Sequence, residues 1–314
     1  GMIFPALIYT YFNSGLETMN GWGIPMATDL AFALGILYLL GDKVPAPLKI
    51  FLTAFSIIDD LGSVLVIAVF YTSDISLVNL GIGIAFLAVL FISNLLGVRN
   101  TFYYGLVGIG GVWLFFLLSR VHAPLAALLA AFAIPATVKI NESSFITKMK
   151  AYIEKFTAAD PDHTVPTLTS EQLHILDDME TLTKKAMTPL QKLEHDMHPI
   201  VAFVVMPVFA LSNAGVSFSG NFWEQATSTV AMGVALGLMI GKMIGIFGVS
   251  SLLIRLKWVP PLEGVTYKHL LGVGFIAAIG FTMSLFINEL AFSPLGDAGA
   301  QHIVQAKIGI VIAS

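Results

Sequence analysis

Two adjacent carboxylates, Asp59 and Asp60, stand in the middle of the otherwise apolar run IFLTAFSIIDDLGSVLVIAVFY from Ile50 to Tyr71. Asp59 is ten residues past Lys49. A rise of ~1.5 Å per residue puts it ~15 Å deep, half of a ~30 Å hydrocarbon core. An ionised carboxylate at that depth costs at least ~3 kcal/mol, and no packing need explains two side by side. Such a pair can hold a cation, hold protons, or hold each in turn. Two further charges are buried in the same sense. Asp29 lies in WGIPMATDLAFALGILYLL, seven residues past Trp22, and Lys242 lies near the middle of AMGVALGLMIGKMIGIFGVSSLLI. An aspartate near a helix end can reach water, and a lysine can snorkel, but Lys242 is deep for that. Three acids and one base at mid-depth predict a single polar cluster.

The elements that must position this cluster carry breakers. Pro25 and Gly35 flank Thr28 and Asp29, and Gly272, Gly274 and Gly280 precede Phe281, Thr282, Met283 and Ser284. Each pattern also suits ordinary glycine packing. Together they predict two interrupted helices whose half-helix ends aim dipoles at a central site. Gly233, Gly237, Gly241 and Gly245 recur every fourth residue around Lys242, which predicts a stripe for close helix approach rather than chemistry.

The bulk composition is that of a membrane protein. Hydrophobic residues make up 56% of the 314 and charged ones 11%, against roughly 25% charged in soluble domains; mean hydropathy is +0.84. With no cysteine, disulfides and thiol-bound metals are excluded, and the net charge of −4 says little. Nothing here points to nucleic acid; membrane lipids are the expected surroundings, and no cofactor is expected. No signal peptide is visible, and the apolar ends lead us to expect a fragment cut within membrane segments at both ends.

Ten hydrophobic segments are expected near 2–15, 22–40, 48–71, 77–97, 102–118, 121–138, 199–218, 226–254, 268–293 and 300–314, joined by tight polar turns such as that at Ser73 and Asp74. This gives three regions: membrane segments in 1–138, a charged region in 139–198, and membrane segments in 199–314. In the charged region Thr169, Ser170, Glu171 and Gln172 resemble a capping box, and Phe145, Met149, Tyr152, Ile153 and Phe156 recur at helical spacing. Two short amphipathic helices on or outside the bilayer are predicted. If alternate loops share a side, thirteen of the basic residues fall on one face, seven of them lysines from Lys139 to Lys192, against Arg120 alone on the other. The positive-inside rule then makes 139–198 cytoplasmic. Glu194, His195 and His198 close this region. They read as a solvated helix start or a pH-responsive cluster, since imidazole titrates near neutrality; a His-x-x-His metal pair lacks further ligands. His122 and His302 read as interfacial.

The stretches ATDLAFALGIL (27–37), FLTAFSIIDDLGSVLVIAVFYT (51–72), KLEHDMHPIVAFVVMPVFALSNAGV (192–216), GKMIGI (241–246) and AIGFTMSLFI (278–287) resemble the NhaA-type sodium/proton antiporters. The resemblance covers nearly the whole chain except about 140–190, which is longer than the family leads one to expect. It implies an all-α inverted-repeat transporter of twelve helices with two crossed, unwound helices, here those of Asp29 and of Phe281–Ser284. It also implies that the first two helices, part of the third and the dimerisation hairpin are missing, the intact parent being a possible homodimer. By resemblance Asp60 binds sodium, Asp59 joins it or pairs with Lys242, and Thr28 lies beside the site. Asp29 and Lys242 offset half-helix ends, and Glu194, His195 and His198 sense pH. The implied activity is electrogenic exchange of sodium, with lithium as a second cargo, for protons by alternating access. The implied role is sodium and pH homeostasis in a bacterial inner membrane, with no enzymatic activity.

The chemistry agrees. Sodium is a hard cation that prefers oxygen ligands, and a desolvated carboxylate holds a proton more tightly than one in water. The two ions then compete for the same oxygens. A sodium-coupled solute symporter would need room for an organic substrate. An intramembrane aspartyl protease would need Gly-x-Gly-Asp, whereas the aspartates here end the runs ATD, IID and DD. A passive channel would conduct without uphill movement.

Overall fold

Apolar runs in hydrocarbon must satisfy their backbone groups internally, and helices do so within one segment. The computed structural model describes residues 1–71, 75–159, 167–213, 215 and 222–314, and all regular structure among them is helical. The turn expected at Ser73 and Asp74, residues 160–166 of the charged region and 216–218 of the seventh segment lie outside the described residues.

The main elements are α1 (Ile3–Asn13), a 3-10 helix at Glu17–Met26, α2 (Leu30–Leu39), α3 (Ala46–Phe70), α4 (Leu77–Leu95), α5 (Thr101–Leu118), α6 (Ala123–Ala133), α7 (Glu142–Ala158), α8 (Ser170–Ala186), α9 (Pro189–Asn213), α10 (Thr229–Arg255), α11 (Tyr267–Ile276), α12 (Phe281–Phe292) and α13 (Gly296–Ala313). Among the described residues six helices are long and apolar enough to cross a membrane, or seven if the run broken between α11 and α12 and bent by 45° counts as one. The chain is a multi-pass membrane protein. The expected span at 121–138 is helical only over α6, because Ile134 leaves the helix with an extended backbone one residue before Pro135.

The chain divides into two compact units, Gly1–Ser73 with Ala202–Ser314, and Asp74–Val201. The second unit contains the charged region. Asn141 caps α7, and a full capping box between Thr169 and Gln172 starts α8. The helices α7 and α8 lie in this region and pack on each other.

In the first unit α3 buries one face made by Leu48, Leu52, Ser56, Asp59, Ser63 and Ile67. The spacing of three and four is that of one helical stripe. The glycine stripe of α10 packs as its period predicts. A Cβ at Gly241 would lie 2.6 Å from Pro5 Cα, and one at Gly233 2.7 Å from Asn13 Nδ2, so α1 lies directly on α10. The α10 backbone carries π turns at Gly237–Gly241 and Ile244–Gly248, on either side of Lys242. Such wide turns re-aim a side chain out of the regular helical register.

Candidate ion site

The first interruption follows the 3-10 helix at Met26. The backbone is extended at Ala27 and Asp29, and α2 starts at Leu30 because the Asp29 carboxylate caps it, accepting from Phe32 N at 3.2 Å. The second interruption separates α11 from α12 at residues 277–280. The two breaks bond each other. Asp29 N donates to Ile279 O at 2.7 Å, and the Thr28 hydroxyl donates to Ala277 O at 3.1 Å. Gly280 is required at this contact, since a Cβ there would lie 2.2 Å from Ser284 Oγ and 3.2 Å from Ala27 O.

Asp29 serves both broken helices. Its Oδ2 accepts from Thr282 N at 2.9 Å and from the Thr282 hydroxyl, while its Oδ1 caps α2. One carboxylate thus meets the N-terminal ends of α2 and α12, where unpaired N–H groups give partial positive charge. Ser284 Oγ donates to Ile24 O at 2.9 Å and fastens α12 to the 3-10 helix.

Lys242 is fully buried. Its ammonium is 2.6 Å from Asp59 Oδ2 and also donates to Met26 O, the carbonyl at the end of the 3-10 helix. The lysine therefore meets both an acid and a negative helix end. Thr28 Oγ1 lies 3.5 Å from the same Asp59 oxygen. Asp60, one residue on, is rotated off the buried stripe and only partly buried. Its Oδ1 has no hydrogen-bond partner among the described residues, nor do the hydroxyls of Ser56 and Ser63 one turn to either side. An orphaned carboxylate oxygen is a donor suited to a hard cation.

Of the residues singled out from sequence, Thr28, Asp29, Asp59 and Lys242 join one bonded network, with Asp60 next to it on α3. Glu194, His195 and His198 are exposed on the stretch of α9 that belongs to the other unit. Among the described residues no cluster of three or more His, Asp or Glu could hold a metal. Thr282, Ser284, Ser56 and Ser63 enter the site without having been assigned roles from sequence. The serines could have been found by extending the three-four spacing along α3 from Asp59.

The whole chain, residues 1–314, matches the family model described as Na+/H+ antiporter 1. It is 43% identical to the protein named Na(+)/H(+) antiporter NhaA 1 of Psychromonas ingrahamii, over all of this chain and 70% of that protein. It is 42% identical to Na(+)/H(+) antiporter NhaA of Wolinella succinogenes, over all of this chain and 68% of that protein. For the Acidithiobacillus ferrooxidans protein named Na(+)/H(+) antiporter NhaA, the identity is 44%, over all of this chain and 71% of that one.

Proposed function

The chain belongs to the Na+/H+ antiporter 1 family, and from that premise we propose that it exchanges sodium for protons across a bacterial inner membrane. The observation that carries the site assignment is the buried Lys242–Asp59 pair beside the orphaned Asp60 oxygen. Asp60 is the sodium ligand. Sodium entry draws Asp59 away from Lys242, and Lys242, left as an unpaired cation in a low-dielectric interior, gives up its proton. Proton return restores the pair and expels sodium. Asp29 holds the positive half-helix ends and Lys242 the negative one, so that the breaks persist without exposing uncompensated backbone charge. The two interrupted helices cross at these breaks, a reading supported by the Asp29 N to Ile279 O bond. Asp60 gives up a second proton when sodium takes its carboxylate, so exchange moves more protons than sodium ions and is electrogenic; lithium is a second cargo. The protein is a homodimer surrounded by lipid and serves sodium and pH homeostasis.

The test is an imposed sodium gradient across vesicles containing the protein, with internal pH followed by a dye. Uphill proton movement is the expected result. Purely downhill flux would favour a channel, and dependence on an added organic solute a symporter.

The charged region 139–198 is cytoplasmic in this proposal, on the thirteen-to-one bias of basic residues. Cysteines introduced at Lys150 or Glu180 should react with impermeant reagents only after the membrane is opened; labelling from outside intact cells would overturn the topology.

Glu194, His195 and His198 tune pH response from the start of α9. Replacing both histidines should displace the pH profile of exchange by less than about one pH unit while peak activity is retained, because exposed charges act through screening solvent. An unchanged profile would assign all pH dependence to competition at the aspartates.

A further inference from the structure

A second ion pair lies within the apolar segments, outside the cluster described above. Lys307 of α13 is buried, and its ammonium stands 3.1 Å from Glu289 Oε1 on α12 and 3.4 Å from the carbonyl of Gly215, just beyond α9. We propose that Lys307 and Glu289 are positioning residues for ion exchange: their pairing fixes the axial position of α12 and thereby the geometry of Thr282 and Asp29 at the broken helices. This rests on the sodium–proton reading of the site.

The argument runs along α12. A helix of twelve residues is rigid over ~18 Å, so a displacement at Glu289 is carried to its first turn. That turn is where Thr282 gives both its N–H and its hydroxyl to Asp29, and where Ser284 bonds Ile24 O. Asp29 in turn starts α2, and Thr28 beside it reaches toward Asp59. At the other end α12 is held to α13 in two chemically different ways. Asn288 Nδ2 donates to Ile303 O at 3.0 Å, a neutral tie, and Glu289 takes the Lys307 ammonium. Backbone packing is already close there, since a Cβ at Gly299 would lie 2.0 Å from Phe292 O. Helix association in lipid therefore needs no charge at this place. A lysine kept in an apolar segment is costly unless compensated, and Glu289 supplies the compensation. Lysine stems lean toward the N-terminal end of their helix, here toward the turn at 293–295 and so toward Glu289. The same ammonium reaches Gly215, so one side chain holds α12, α13 and the backbone after α9 together.

The experiment uses the full-length protein with Lys307→Met, Glu289→Gln and the exchange Lys307→Glu with Glu289→Lys. Because the Asn288 tie and the glycine contact remain, each single variant should fold. In proteoliposomes each single variant should raise the sodium KM of exchange on the order of fivefold, with the maximal rate changed much less; the charge exchange should restore it. Independently of transport, amide hydrogen exchange at residues 279–284 should accelerate in each single variant and return in the exchanged pair. Altered protection with an unchanged sodium KM would reduce the pair to a fastening of α12 on α13. Unchanged protection at 279–284 would overturn the proposal outright. If the unmodified protein moved no protons in response to sodium, the transport reading would fall, and hydrogen exchange alone would decide whether the pair positions α12.

Discussion

Asp60→Asn in the full-length protein is expected to abolish sodium-driven proton movement while leaving insertion, yield and thermal unfolding close to those of the unmodified protein. Sodium entering this site leaves its hydration shell, and a neutral amide oxygen replaces only part of what a carboxylate supplies. Loss of a charged partner in a low-dielectric site costs about 3–5 kcal/mol, or roughly 10²–10⁴-fold in binding. Folding has no corresponding dependence. Asp60 Oδ1 makes no hydrogen bond among the described residues, and Asp60 is not the acid that Lys242 contacts. Removing a charge from an apolar segment relieves a desolvation cost. Vesicle assays and thermal unfolding on the same preparation separate the two effects. Exchange at the unmodified rate in Asp60→Asn would remove Asp60 from the ion site.

Lys242→Ala should have the largest effect on stability. The side chain is fully buried, and its loss leaves Asp59 and the Met26 carbonyl facing each other without a cation. Breaking one partner of a buried pair costs about 3–5 kcal/mol. Adding Asp59→Asn removes the stranded charge and should recover much of that loss, so the double-mutant cycle is strongly non-additive. Exchange weakens in both the single and the double variant, because a proton carrier is gone in each. Additive losses would mean that Lys242 serves only the negative helix end at Met26. Since Met26 O stays uncompensated in the double variant, recovery should be incomplete, and the shortfall measures the helix-end contribution.

The Lys242–Asp59 contact joins residues 183 apart in sequence, and the Asp29–Thr282 bonds span 253. No local pattern specifies such distances. What the sequence by itself determined is the set of properties that sum residue by residue. Transfer free energy marks the apolar spans; the depth of Asp59, Asp60 and Lys242 follows from helical rise; the four-residue glycine period predicts a close approach. Breakers beside Asp29 and Ser284 mark interruptions, and motif resemblance points to the family. Only the tertiary structure decided which groups meet. Adjacent aspartates on α3 differ by ~100° in direction, so packing alone places Asp59 on the buried stripe against Lys242 and leaves Asp60 with a free oxygen. Packing also makes Asp29 a cap for two helices at once, since α12 approaches it from elsewhere in the chain through the gap that Gly280 leaves. The Glu289–Lys307 pair was not read from sequence: nothing local links a lone lysine in one apolar run to a glutamate near the end of another until α12 and α13 lie side by side.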